Sequence, residues 1–148
     1  MKIDFFSRLP FAGAGATHKV IANGAGPERG AAEAILQQLL ADLPELLIGA
    51  VVHLASGQAL ASYSTSRDFN LGKVCGYNAE VVRQTHQLLR ALQLADEQIE
   101  DILITLRGQL HLLRLLPDGQ RLLYVVVDCH DTNLALARAV MRACVEGK

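Results

Sequence analysis

Three consecutive residues, Cys129-His130-Asp131, bring together a thiol, an imidazole and a carboxylate. Nucleophile, base and orienting group are built from such sets. The three lie between RLLYVVVD (121–128), which reads as a strand, and NLALARAVMRACVE (133–146), which reads as a helix. A nucleophile needs its base within hydrogen-bond reach. Adjacent residues of a strand point to opposite faces, so Cys129 and His130 are poorly placed to be that pair. A structural reading follows: Cys129 fills apolar space, and Asp131, Thr132 or Asn133 suits a helix N-cap, with Asp131 taken as the cap.

A second candidate is the glycine-rich stretch FAGAGATHKVIANGAGPERG (11–30). A phosphate-binding P-loop places glycine before its lysine and Ser or Thr after it. Here His18 precedes Lys19 and Val20 follows. The dinucleotide fingerprint G-x-G-x-x-G fails as well, because Gly24-Ala25-Gly26-Pro27-Glu28-Arg29 has arginine at the third glycine position and no strand leads into it. The composition is that of a tether. The histidines (His18, His53, His86, His111, His130) have no H-E-x-x-H spacing, and Cys75, Cys129 and Cys144 form no C-x-x-C pair, so neither a metal nor a cofactor is expected. Asp96-Glu97 and Glu100-Asp101 read as a solvated connection and not as an acid/base pair. No catalytic residue is nominated, and the chain is expected not to be an enzyme.

The 148 residues suffice for one domain with an appended segment. Hydrophobic residues make up 51%, charged ones 20%, and the net charge is −1. That composition is globular, and without a basic run it argues against nucleic acid or an anionic membrane as partner. The odd cysteine count points to reduced thiols and a cytoplasmic location. MKIDFFSRLPF does not read as a signal peptide, and no apolar stretch reaches the roughly 18 residues of a spanning helix.

The positioning elements read as follows. AAEAILQQLLADLP is a helix with Ile35, Leu36, Leu39, Leu40 and Leu43 on one face, ended by Pro44. LLIGAVVHL (46–54) and QALASYS (58–64) form a hairpin around Ala55-Ser56-Gly57. A long helix over about 70–92 carries Leu71, Val74, Cys75, Val81, Val82, Leu88, Leu89 and Leu92 on one face, with Asn78 and Thr85 inside the stripe. Three strands follow, IEDILITL, QLHLLRLL and RLLYVVVD, turned at Arg107-Gly108 and Pro117-Asp118-Gly119, and a last helix closes the chain. Local hairpins imply an antiparallel sheet. Strands apolar at nearly every position imply that helices cover both faces.

This α-β-β-α-β-β-β-α order resembles the roadblock/dynein light chain family. LLIGAVVHLASGQALASYS, VCGYNAEVVRQTHQLLRALQL, ILITLRGQLHLLRLLPDGQRLLYVVVD and the Asn133-Leu134 helix entry carry the resemblance, which covers about residues 31–146. It implies an α/β (α+β), roadblock/profilin-like fold. Five antiparallel strands would take the order 2-1-5-4-3, with the long middle helix on one face and the terminal helices on the other. Residues 31–148 form the domain in this reading, and 1–30 a flexible segment. The resemblance also implies dimers, surface contact with a Ras-like small GTPase as regulator or scaffold (a bacterial gliding-motility relative acts on such a GTPase), and no nucleotide site or catalysis. A ligand-sensing or adaptor module, binding a small molecule or another protein, is the alternative.

With that strand order, Ile102, Leu103, Ile104, Thr105 and Leu106 lie at a sheet edge where two copies can pair. Gly72, Gly76, Ala79 and Arg83 of the long helix then fall at the seam. For Gly72-x-x-x-Gly76 two readings stand: close approach by a partner helix, or a helix that begins only after Gly76, with Asn78 near its cap. Phe5, Phe6 and Phe11, ahead of the glycine-rich stretch, read either as a docking segment or as a patch folded back on its own domain.

Overall fold

A computed structural model describes residues 19–24 and 26–147. Phe5, Phe6 and Phe11 lie outside them. Helix α1, Pro27–Asp42, starts behind Gly26 at φ 87°, a backbone state natural to glycine, and Pro27 presets the φ of the first turn. It buries Ala32, Leu36 and Leu39. Helix α2, Leu71–Ala91, is capped by the Asn70 side chain, which accepts the Lys73 amide at 3.0 Å. Helix α3, Leu134–Glu146, begins the same way, with Asn133 accepting the Leu136 amide at 2.8 Å. The cap is therefore Asn133 and not Asp131. Its side-chain oxygen reaches the third amide of the helix, while Asp131 sits two residues too early.

The strands are β1 (Ile21–Ala22), β2 (Ile48–His53), β3 (Ala59–Ser64), β4 (Asp101–Thr105), β5 (Gln109–Leu115) and β6 (Arg121–Asp128). They form one sheet of order β1-β3-β2-β6-β5-β4, each neighbouring pair antiparallel. Without β1 this is the expected 2-1-5-4-3. The sixth strand comes from the stretch read as tether: Ile21 pairs with Ser62 and Ala22 with Ala61. The boundary expected after residue 30 falls inside α1. A two-residue strand held by backbone pairing leaves no side-chain period to read.

Two cores explain the continuously apolar strands. Leu123, Val125 and Val127 of β6 pack with Val51, Leu112 and the buried faces of α1 and α3. Leu122, Tyr124 and Val126 point the other way, against Ile48, Ala50, Val52 and the α2 residues Cys75, Ala79 and Val82. Truncating Leu112 or Leu123 to alanine would cost about 2–5 kcal/mol. The edge strand β4 is fastened by charge as well. Arg138 of α3 donates two hydrogen bonds to Asp101, at 2.9 and 3.0 Å. Buried Arg114 of β5 lies 3.7 Å from the same carboxylate and 4.0 Å from Glu146. A buried guanidinium is tolerable only with such partners.

Candidate interaction surface

Strand β4 ends the sheet. The Leu106 amide donates to the Gln109 carbonyl at 2.9 Å, and the register runs Thr105↔Leu110, Ile104↔His111, Leu103↔Leu112. Antiparallel ladders alternate bonded and non-bonded pairs. The Ile104 amide therefore points inward to β5, whereas the Leu103 and Thr105 amides point outward. Ile104 is 39% exposed and Leu106 48%. Ile102 packs into the α2-side core and Leu103 into the opposite one. The edge thus offers outward amides together with uncovered apolar side chains.

The α2 residues nominated for a seam do other work. Ala79 is fully buried in its own chain's core, so it is removed from the candidate interface. The β2–β3 turn uses Gly76: a Cβ on Gly57, which has φ +72°, would stand 3.1 Å from the Gly76 Cα. Gly76 thus admits the chain's own turn, and the helix begins well before it. Gly72 leaves room for the cap, because a Cβ there would come within 3.3 Å of Asn70 Oδ1. Arg83 donates to Glu80 at 3.0 and 2.8 Å and to the Leu54 carbonyl, clamping the same turn onto α2. Hydrogen bonds from Gln84 and Arg83 hold the Glu80 carboxyl below its usual range.

Sequence reasoning placed Leu88 and Leu92 in the apolar stripe facing the core. They are instead 55% and 57% exposed, and Leu94 just beyond the helix is exposed too. The stripe itself was the available signal: it runs the length of α2, while the sheet beneath buries only Cys75, Asn78, Ala79 and Val82.

Under α2 lies a polar group. His111 Nδ1 stands 2.9 Å from the Tyr124 hydroxyl and Nε2 2.9 Å from Gln109 Oε1. Burial lowers the His111 pKa and pushes Tyr124 up to about 12. Burial likewise pushes the Cys75 and Cys144 thiols up to about 11, which makes them poor nucleophiles. A cleft of about 570 Å³ opens between the 95–100 connection and the Pro117-Asp118-Gly119 turn, with Arg114 and Glu146 in its wall. Its lining is charged, and its arginine is already paired.

The sequence-adjacent chemistry differs from expectation in one respect. Cys129, His130 and Asp131 lie in a turn and not on the strand, so the opposite-face argument does not apply to them. Cys129 Sγ is 3.7 Å from His130 Nδ1, and the carboxylate that joins them is that of Asp128, at 2.9 Å from the same nitrogen. A catalytic relay needs the nucleophile on one ring nitrogen and the carboxylate on the other. Both groups meet Nδ1 here, so the arrangement is not a triad.

Two helices on one face, one long helix on the other and the strand order above define a roadblock-like α/β domain. The solved structures of this shape include MglB of Myxococcus xanthus, with a TM-score of 0.72 at 14% identity over 84% of this chain and 89% of that one. The gliding protein MglB of Thermus thermophilus gives 0.62 at 15%, over 89% and 99%. A roadblock/LC7 domain of Streptomyces avermitilis gives 0.63 at 10%, over 76% and 90%. By sequence the chain matches no family model and no curated protein. At such identities the likeness is one of fold.

Proposed function

We propose that this chain is a cytoplasmic, homodimeric regulator or scaffold of a Ras-like small GTPase, acting by surface contact without chemistry of its own. One observation carries the reading: among the described residues, an outer β4 edge with unpaired outward amides and exposed Ile104 and Leu106, on a domain whose α2 also leaves Leu88 and Leu92 exposed. A bare apolar edge recruits another strand. Twofold pairing of β4 with its copy closes both edges at once. The roadblock-like shape, shared with the MglB structures, supports the GTPase as the second partner. Among the described residues no helix is long and apolar enough to cross a membrane.

Light scattering after size exclusion tests the dimer: a monomer at tens of micromolar sinks that half of the proposal. For the other half, the protein is captured from its native lysate with GTP- or GDP-locked nucleotide present, and co-purifying GTPases are identified. A small GTPase retained in one nucleotide state supports the reading, and its absence in both states overturns it. The pure chain should neither bind nor hydrolyse GTP, which calorimetry would show.

A further inference from the structure

The geometry points to a surface site for a borderline-soft divalent cation of the Zn²⁺ class at the β6–α3 turn, with Asp128 Oδ1, Cys129 Sγ and His130 Nδ1 as ligands. These three atoms lie within 4.8 Å of one another. Their chemistry is mixed oxygen, sulfur and nitrogen, which zinc accepts and magnesium or calcium does not. In a tetrahedral zinc site the sulfur and nitrogen ligand atoms stand about 3.5 Å apart and nitrogen and oxygen about 3.4 Å. Here the S–N separation is 3.7 Å and the N–O separation 2.9 Å. The second distance needs to open by about half an ångström, since a hydrogen bond now holds those atoms together, and sulfur and oxygen, which lie within 4.8 Å of each other, need to stand about 3.6 Å apart.

The turn is organised before any ligand arrives. The His130 amide donates to Asp128 Oδ1 at 2.7 Å, the Cys129 amide to the Gly108 carbonyl at 3.1 Å, and the Thr132 amide to the Asp128 carbonyl at 3.1 Å. The β4–β5 turn and the entry to α3 hold the backbone of all three ligands. His130 is 77% exposed on its side chain, so the fourth position faces solvent and takes water. Convergence of thiol and carboxylate on one ring nitrogen serves no relay, but it is what a shared cation requires. Spacing rules miss the site because its ligands are neighbours in sequence, and they converge only because the chain leaves the strand at Asp128.

On binding, the thiol proton, now directed at the Arg107 carbonyl 3.3 Å away, leaves to solvent. The ring binds as the neutral tautomer with its proton on Nε2 and the Nδ1 lone pair on the metal. Metal uptake therefore releases the thiol proton.

The test uses the untagged full-length chain, reduced and free of chelator, titrated with Co²⁺ and then Zn²⁺. The expected result is one equivalent of Co²⁺ with a thiolate-to-cobalt charge-transfer band that Zn²⁺ abolishes. Cys129→Ser should remove the band. His130→Ala, an exposed position that does not threaten the fold, should weaken binding at least about tenfold. Asp131→Asn should change nothing. As a second readout, Zn²⁺ should slow alkylation of Cys129 in the wild type but not in His130→Ala, with buried Cys75 and Cys144 as internal references. Circular dichroism verifies folding of each variant. No thiolate band with the wild-type chain, a band that survives Cys129→Ser, or His130→Ala binding as tightly as wild type would overturn the site.

Discussion

The sheet has two edges, and the chain treats them differently. At one, β3 is closed: β1 pairs with it, the Asn23 amide donates to the Leu60 carbonyl at 2.8 Å, and α1 packs over Ala61 and Tyr63. At the other, β4 is half covered, with Ile104 and Thr105 exposed and two amides pointing outward. Both strands carry apolar residues, so composition does not separate them. What differs is the neighbouring chain. The segment before α1 returns along β3, whereas the 95–100 connection leads into β4, and among the described residues nothing pairs with its outer side. A sheet that closes one edge with its own backbone and not the other has one edge available for pairing with a second molecule.

The sharpest way to break this comparison is proline, which lacks the amide proton. Ile104→Pro should disrupt the sheet, because it removes an inward bond to β5. The orphaned carbonyl alone costs about 1–3 kcal/mol, before the clash of the ring. Thr105→Pro should leave a folded chain with a dimer weakened at least about tenfold, or about 1.4 kcal/mol. Circular dichroism and light scattering read the two effects. If both variants remain full dimers, the free edge is not the interface.

A charge on the uncovered helix face asks whether α2 shares that interface. Leu88→Lys with Leu92→Lys should lower dimer affinity about tenfold to a hundredfold and leave the melting temperature of the monomer nearly unchanged, since both side chains are already exposed. An unchanged dimer would assign those leucines to another partner.

The closed edge predicts a milder response. Removing residues 1–26 takes away β1 and the Gly26 turn ahead of α1. With so few ladder bonds involved, the loss should be about 1 kcal/mol, a melting shift of about 4 °C. The dimer should persist while aggregation on heating increases. A chain that loses its dimer on this truncation would place the interface at β3.

The smallest expected effect is a pH slope beside the free edge. His111 faces Ile104 across the β4–β5 ladder, and its pKa is lowered by burial. The stability tied to neutral His111 is whole above the ordinary value near 6.5. It falls as pH drops below that value, because the unfolded chain takes up the proton first, and it levels off below the folded pKa. The melting temperature of the wild type should therefore drop more than that of His111→Gln between about pH 7.5 and about pH 5.5. Equal drops would mean that His111 titrates alike in the folded and unfolded chain, so that burial does not shift it.

Much of this molecule is determined along the chain. Leu36 and Leu39 at helical spacing, the Asn70 and Asn133 caps, and β6 apolar on both faces dictate three helices and a sheet covered twice, because periodicity and burial are local properties of sequence. Other features were decided only when distant segments met. Leu88 and Leu92 belong to the same stripe as Val82, yet only the width of the sheet under α2 tells which of them is covered. Gly76 is required by Gly57, nineteen positions earlier, a contact that no helical period encodes. The outward amides of Leu103 and Thr105 follow from where the β4–β5 turn sets the register. Asp128, Cys129 and His130 are adjacent in sequence, and a continued strand would point them apart. They converge because the strand ends at Asp128, where the chain turns toward the Asn133 cap and is held by the Gly108 carbonyl of another hairpin. Backbone hydrogen bonding between remote residues sets that turn, together with the Asp128 side chain, which accepts the His130 amide within it.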